Sequence, residues 1–351
     1  MYLAGIGTAV PEKRYSQREC WEALRDSPRV ALLSAPGRAL LERVLLGERG
    51  IHTRHLALDS LDEAFAIEPD VLHRRFERHA PALAARAANT ALARAGIEPR
   101  GIDALLISTC TGYLCPGLTS YVAERLGLRT DILALDLVGQ GCGAALPNLR
   151  TADALIASGR HENVLSVCVE VCSAALYIDD DPGVLVSACI FGDGAGATVV
   201  SRKARGAREI EWTGAFSATD AAEREGLRME MCDGLLRNVL SRAVPAVAAR
   251  HAKDLLAKSM ATRHLQRREI RGWIWHAGGP AVLDRLRDAV GLDEPAMRHS
   301  REMLGRYGNL SSPFVLFVLE AALAAGAPGG WWWMSSFGAG FSCHGALLKV
   351  A

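Results

Sequence analysis

A cysteine, a histidine and an asparagine stand apart in this sequence by what surrounds them. Cys142 lies in Leu135-Asp-Leu-Val-Gly-Gln-Gly-Cys-Gly-Ala-Ala, where an apolar strand ends, glycines permit a tight turn and a helical pattern begins. A thiol at a helix N-terminus meets the positive end of the dipole and free amide donors, which favour thiolate. Flanking glycines let a substrate approach the backbone; the alternative fate of a free cysteine is burial as a small core residue. His276 ends the apolar run Gly272-Trp-Ile-Trp-His ahead of Ala-Gly-Gly-Pro, and strand ends above an α/β sheet are where sites form. The other histidines mostly lie in polar, arginine-rich stretches. Asn309, in Tyr307-Gly-Asn-Leu-Ser-Ser-Pro, directly precedes a helical pattern that starts near Ser311, where an N-cap role is the plainer reading.

A nucleophile, an imidazole and an amide in this order serve two unrelated chemistries. Papain-like proteases carry His and Asn ~130–150 residues after the Cys, and the interval from 142 to 276 fits. Their cysteine, however, lies near the mature N-terminus within Cys-Gly-Ser-Cys-Trp, a motif missing from this sequence. The other chemistry is decarboxylative Claisen condensation. It needs a thiolate to hold an acyl group as a thioester. It also needs two neutral donors aimed at the oxygen of the enolate left when a malonyl thioester loses CO2, and an imidazole N–H with an amide N–H suffices. No metal and no redox cofactor takes part. Cys168-x3-Cys172 and Cys110-x4-Cys115 have no Cys-x2-Cys pair and no clustered His, so zinc is not expected. Gly192-Asp-Gly-Ala-Gly does not open a helix, so a dinucleotide site is not expected either.

Short β-branched runs alternate with helical patterns, which reads as α/β. A helix over 81–95 is ended by Gly96, strands are expected over 104–109, 131–138 and 163–170, and a helix over 144–158. Residues 186–201 read as a strand interrupted by Phe191-Gly-Asp-Gly-Ala-Gly. The second half repeats this order: a strand over 270–276, a helix over 280–290, a long apolar helix from Asn309 through Glu320 to Ala325, and strands over 331–337 and 342–350. Phe191-Gly-Asp-Gly-Ala-Gly closes one half and Phe337-Gly-Ala-Gly-Phe the other, so a duplicated unit, 1–205 and 206–351, is expected. The totals exclude other classes. With 50% hydrophobic residues and a net charge of +1 in 351 residues, disorder is excluded. The 40 basic residues matched by 39 acidic ones leave no field for general nucleic-acid binding. No apolar run approaches the ~20 residues of a membrane span, no signal peptide is apparent, and nine cysteines without a framework read as reduced thiols of a cytoplasmic enzyme.

Gly141-Cys142-Gly143, His276-Ala-Gly-Gly-Pro-Ala, Gly308-Asn309-Leu-Ser-Ser and Phe191-Gly-Asp-Gly-Ala together resemble the type III polyketide synthases, the chalcone synthase-like family. The resemblance runs from Gly5-Ile-Gly-Thr-Ala-Val-Pro to Lys349. It implies a duplicated αβαβα thiolase fold, a homodimer, an acyl-CoA starter and malonyl-CoA as substrates, and no cofactor. Cys142 then corresponds to the acyl-bearing nucleophile, and His276 and Asn309 to the oxyanion pair, with His276 also stabilising the thiolate. Phe191 matches the gate between cavity and coenzyme tunnel. Gly278 and Ala281 fall where backbone lines the pantetheine tunnel, Glu170 matches a buried glutamate beside the cavity, and Ser311 a cavity serine; packing or turn roles stay open for these four.

The departures from the family pattern carry information too. Cys115 stands where plant members place a methionine that reaches into the partner subunit's pocket. Cys110, Cys172 and Ala175 replace cavity threonines, and Thr111 beside Cys110 is expected among the substrate-binding residues. A more apolar pocket, or one continued by an extra tunnel, follows if these cysteines line it; inert core roles are the alternative. A medium or long fatty acyl starter, closing to a pyrone or a resorcinol-type ring, is the resulting expectation. The family's coenzyme-binding lysines are not matched, and Arg38, Arg43, Arg49 and Arg54 are available to meet phosphates. The alternative within the same chemistry is a ketosynthase III-like enzyme that condenses once onto malonyl-acyl carrier protein.

Overall fold

Two successive strand-and-helix units build the chain. The structure, a computed structural model, describes all residues except Glu48, Arg49 and Ala207. In the first unit come β1 (Tyr2–Ala9), β2 (Arg14–Ser16), α1 (Gln17–Arg25), α2 (Pro28–Ala31), α3 (Ala35–Leu45), β3 (Thr53–His55), α4 (Pro69–Ala95), β4 (Ala104–Ser108), α5 (Leu118–Leu126), β5 (Leu133–Leu137), α6 (Ala145–Ala157), β6 (Asn163–Glu170), α7 (Pro182–Ile190) and β7 (Gly194–Ser201). The second unit has β8 (Ile210–Thr219), β9 (Leu227–Cys232), β10 (Leu235–Leu240), α8 (Val244–Thr262), β11 (Ile270–Trp275), α9 (Pro280–Val290), α10 (Glu294–Tyr307), α11 (Phe314–Ala324), β12 (Gly330–Gly338) and β13 (Ser342–Val350).

Nine strands form one sheet in the order β11-β12-β13-β8-β1-β7-β6-β4-β5. Read outward from its centre, the order β1-β7-β6-β4 is repeated by β8-β13-β12-β11. The directions repeat as well: the first two pairings are antiparallel and the third is parallel in each half. β1 meets β8 at Tyr2 and Glu211, which joins the two halves of the sheet. α4 packs on β1, β7 and β6, α8 on β13, β8 and β12, while α6 and α11 each touch strands of both halves. The layers therefore run α, β, α, β, α, the duplicated thiolase arrangement expected from the resemblance. Its middle helix α11, Phe-Val-Leu-Phe-Val-Leu at its start, is buried from Phe314 to Leu319. A helix apolar all round belongs between two packed faces, not on a surface.

The expected strands and the helices over 144–158 and 280–290 form within a residue or two of their limits. Other elements differ for physical reasons. The alanine-rich helix begins twelve residues earlier, at Pro69, because Pro81 looks like a first-turn proline and instead lies inside α4. Residues 186–190 are not strand but the end of α7. Asp181 caps that helix, accepting from the Gly183 and Val184 amides, with Pro182 in its first turn. The β-branched run Val-Leu-Val masks that start signal. The apolar helix after Asn309 starts only at Phe314, since Ser311 has φ of 58°.

Close approach of α4 to β1 rests on bare glycines. A Cβ at Gly5 would sit 2.1 Å from the Ala91 carbonyl oxygen and 2.7 Å from the Ala95 nitrogen. Gly5→Ala is accordingly expected to lower stability by about 1–3 kcal/mol, the usual cost of overpacking, read as a shifted urea midpoint. An unchanged midpoint would contradict this packing.

Candidate active site

A cavity of about 1260 Å³ opens between α3, the 172–191 segment and the β9–β10 hairpin. Cys142, His276 and Asn309 all line it. Cys142 sits in a single 3-10 turn, Gly141–Gly143, directly ahead of α6. The turn is pressed onto the end of β12: a Cβ at Gly338 would lie 2.3 Å from the Gln140 oxygen and 2.5 Å from the Gly143 nitrogen. Ser336 Oγ donates to the Gly143 carbonyl at 2.9 Å, closing the same seam.

His276 follows β11 and is tied by its amide to the Ser335 carbonyl at 2.9 Å. Its ring is 1% exposed and packs edge-on against Phe337 (4.8 Å) and Phe314 (5.5 Å). Neither ring nitrogen has a hydrogen-bond partner among the described residues. Burial alone pushes the imidazole down to about 3, so it is neutral at physiological pH.

Asn309 is held by its backbone: its amide donates to the Ile190 carbonyl (2.8 Å) and its carbonyl accepts from Gly192 (3.0 Å). These bonds make a parallel bridge between Phe191 and Asn309. Its side-chain Oδ1 accepts from the Ser311 amide at 2.8 Å, and Nδ2 donates to the Gly278 carbonyl at 3.3 Å. The amide oxygen is thus used inward, and an NH2 group carries two donors, one of them left for a ligand.

The thiol does not pair with His276. Cys142 Sγ accepts from Ser311 Oγ at 3.2 Å. Burial pushes it up to about 11, opposed by the Ser311 hydrogen bond and reinforced by Glu170. The helix end therefore does not win over desolvation, and the resting pair is thiol and neutral imidazole rather than the expected thiolate. Glu170 is fully buried and raised by burial. It accepts from Ser312 Oγ (2.5 Å), Thr111 Oγ1 (2.9 Å), the Cys110 amide (3.0 Å), Thr109 Oγ1 (3.2 Å) and Cys110 Sγ (3.3 Å), and the Ser311 hydroxyl, 3.4 Å away, can give its one proton either to Glu170 or to Cys142. It reaches the cavity through Ser311, Thr111 and Cys110 rather than lining it.

Phe191, Cys110, Thr111, Cys172, Ala175, Ser311, Gly278 and Ala281 line the cavity as expected from the resemblance. Cys115, expected at the partner subunit's pocket, does not line this chain's own cavity and is exposed in the loop before α5. Among the arginines offered to phosphates, Arg43 lines the cavity. Arg38 donates to the Leu33 carbonyl. Arg54 is unavailable, being 2% exposed with its guanidinium committed to protein oxygens, and Arg49 lies outside the described residues. Sequence reasoning missed the β9–β10 hairpin, which contributes Met229, Leu236, Val239 and Leu240 to the wall. Its signal was the Asp233-Gly234 turn, both residues at positive φ, between two alternating runs.

A family model described as FAE1/Type III polyketide synthase-like protein matches residues 59–255, and one described as the C-terminal domain of chalcone and stilbene synthases matches 225–350. The chain belongs to the type III polyketide synthases. It is similar to a 1,3,6,8-tetrahydroxynaphthalene synthase of Streptomyces peucetius subsp. caesius, 32% identical, covering 99% of this chain and 92% of the relative. A 3,5-dihydroxyphenylacetyl-CoA synthase of Streptomyces toyocaensis is 28% identical, covering 99% and 89%. Among solved structures, PKS-I from the brown alga Ectocarpus siliculosus superposes with a TM-score of 0.88 at 25% identity, covering 99% of this chain and 98% of that one. The protein is therefore an acyl-CoA condensing acyltransferase of this family, and among the described residues no helix is long and apolar enough to cross a membrane.

Because the thiolate is the alkylated species and the thiol is raised, labelling must accelerate with pH. Iodoacetamide modification of Cys142, followed on its peptide by mass spectrometry, is expected to speed up about tenfold per pH unit from pH 7 to 10. A rate that stays level over that range would reveal a preformed thiolate and contradict the neutral pair.

Proposed function

We propose that the protein loads a starter acyl group from coenzyme A onto Cys142 and extends it by repeated decarboxylative condensation with malonyl-CoA. One observation carries this: a histidine buried with both ring nitrogens unpartnered lines the same cavity as a thiol and an amide with a spare donor. Buried polar groups left unsatisfied cost about 1–3 kcal/mol each, a cost that a bound carbonyl oxygen relieves.

In loading, Cys142 Sγ attacks the thioester carbonyl, its proton passes to His276, and the coenzyme sulfur leaves with that same proton. The cavity holds no net charge before or after, which suits a site where burial penalises both ions. Malonyl-CoA then loses CO2, and the electron pair moves onto the thioester oxygen. The N–H of neutral His276 and the Nδ2–H of Asn309 receive that oxygen, preorganised and shielded from water. The enolate carbon attacks the carbonyl of the Cys142 thioester and displaces the Cys142 sulfur as thiolate, which takes a proton from solvent to return to the thiol, and the lengthened chain is left on coenzyme A for recapture. Nothing in these steps calls for a metal or cofactor. Phe191, flanked by Ile190 and Gly192 that exchange backbone hydrogen bonds with Asn309, lines the cavity and would serve as the gate that the resemblance implies, and Arg43 on the same lining would meet coenzyme phosphate.

For the starter, the lining favours a medium or long fatty acyl group: Cys172, Ala175, Leu176, Val186, Met229 and Val239 offer little to hydrogen-bond. Closure would give a pyrone or a resorcinol-type ring. The active form would be a homodimer, because β5 is an edge strand beside exposed Leu133 and Val138, and such edges need cover. Nine free cysteines fit a reducing cytoplasm.

Offered malonyl-CoA with fatty acyl-CoAs of several lengths, the enzyme is expected to give extended, cyclised products by mass spectrometry, and Cys142→Ala none. Turnover of malonyl-CoA alone, with no fatty acyl product, would overturn the starter assignment; product from Cys142→Ala would overturn the nucleophile. Light scattering is expected to report twice the chain mass of 37.6 kDa, and a monomer that remains fully active would refute the dimer.

A further inference from the structure

The C-terminal end of α7 is satisfied from far away in sequence. A helix leaves its last carbonyls without partners of its own, and here each can be traced. The Ser187 oxygen takes the Phe191 amide (3.2 Å). Ala188 and Phe191 both accept from Arg54 Nη1, at 2.7 and 2.9 Å. Cys189 accepts from Gln17 Nε2 (2.7 Å), and Ile190 from the Asn309 amide (2.8 Å). Arg54 Nε in turn donates to Gln17 Oε1 at 2.9 Å, so the two side chains act as one buried clamp.

Arg54 is 2% exposed, and among the described residues its hydrogen bonds go to neutral oxygens. Burying such a charge is costly, and what offsets it is the negative end of α7, a helix with no basic residue in its own last turn. The stem of Arg54 also lies against the residue before Asn309: a Cβ at Gly308 would meet Arg54 Cγ at 3.0 Å and Cδ at 3.2 Å. Arg54 therefore grips the Phe191 carbonyl on one side and supports the Gly308–Asn309 backbone on the other, while Asn309 caps the same helix end.

We propose that Arg54 is a positioning residue for condensation: its clamp on α7 sets the Asn309 donor and the Phe191 ring as one unit. Loss of the clamp would free two carbonyls and let Asn309 drift from the enolate oxygen, whereas Cys142, held by the separate seam with β12, would keep its place. The inference rests on the function proposed above and predicts a split between two half-reactions rather than a general loss. Misplacement of a catalytic group by an ångström costs about 10²-fold.

Arg54→Met keeps length and removes the fork; Arg54→Lys keeps the charge with a single head. For each, malonyl-CoA decarboxylation (kcat and KM), Cys142 acylation by a fatty acyl-CoA and the thermal midpoint are to be measured beside the wild type. The expected result for Arg54→Met is a decarboxylation kcat down by about 10²-fold with KM and acylation rate within about threefold, and for Arg54→Lys the same split, less deep. Decarboxylation by Arg54→Met within about threefold of wild type would overturn the proposal, and so would acylation falling by the same factor. Should Arg54→Met fail to fold, Arg54→Lys decides by the same criterion. A wild-type enzyme that does not decarboxylate malonyl-CoA would instead defeat the functional reading itself.

Discussion

A histidine ring buried between two phenylalanines, with both nitrogens unsatisfied, is an expensive thing to fold around. The molecule tolerates it because everything about the ring is over-determined. Phe314 starts the middle-layer helix α11, Phe337 ends the adjacent strand β12, and the His276 amide is tied to β12 at Ser335. The result is a neutral donor fixed in a dry cavity, suited to an oxygen on which charge develops only during reaction. Were the ring exposed, it would titrate near neutrality and shed this character.

Duplication explains why three groups meet. Cys142 belongs to the first unit, at the turn between β5 and α6; His276 and Asn309 belong to the second, after β11 and before α11. What unites them is the seam between the units: Gly338 against the Cys142 turn, and the Phe191–Asn309 bridge. Neither unit alone contains the chemistry. The substrate cavity grows where the repeat is broken, by the β9–β10 hairpin inserted after β8 and by the α7 helix that precedes β7.

Much of this was legible in the sequence because strand ends that carry glycine and a reactive side chain are local features. Cys142 and His276 sit at such ends and Asn309 in the glycine turn between α10 and α11, and the missing Cys-Gly-Ser-Cys-Trp motif narrowed the chemistry before the resemblance named it. What was illegible depends on distant contacts. Val-Leu-Val in α7 reads as strand because helix formation there is decided by the Asp181 cap and by Arg54 and Gln17 at the other end. Arg54 looked like one more phosphate ligand, since nothing local marks an arginine as buried. At Cys142 the helix end is visible in sequence, whereas the desolvation that raises the thiol is not.

The central claim is that the donors for the enolate are His276 and Asn309, independent of the nucleophile. Release of CO2 from radiolabelled malonyl-CoA by Cys142→Ala and by Asn309→Ala, compared in one experiment, tests it most directly. Continued CO2 release from Cys142→Ala, with acetyl-CoA as the product, and near-complete loss in Asn309→Ala are expected. Loss in Cys142→Ala together with survival in Asn309→Ala would contradict it.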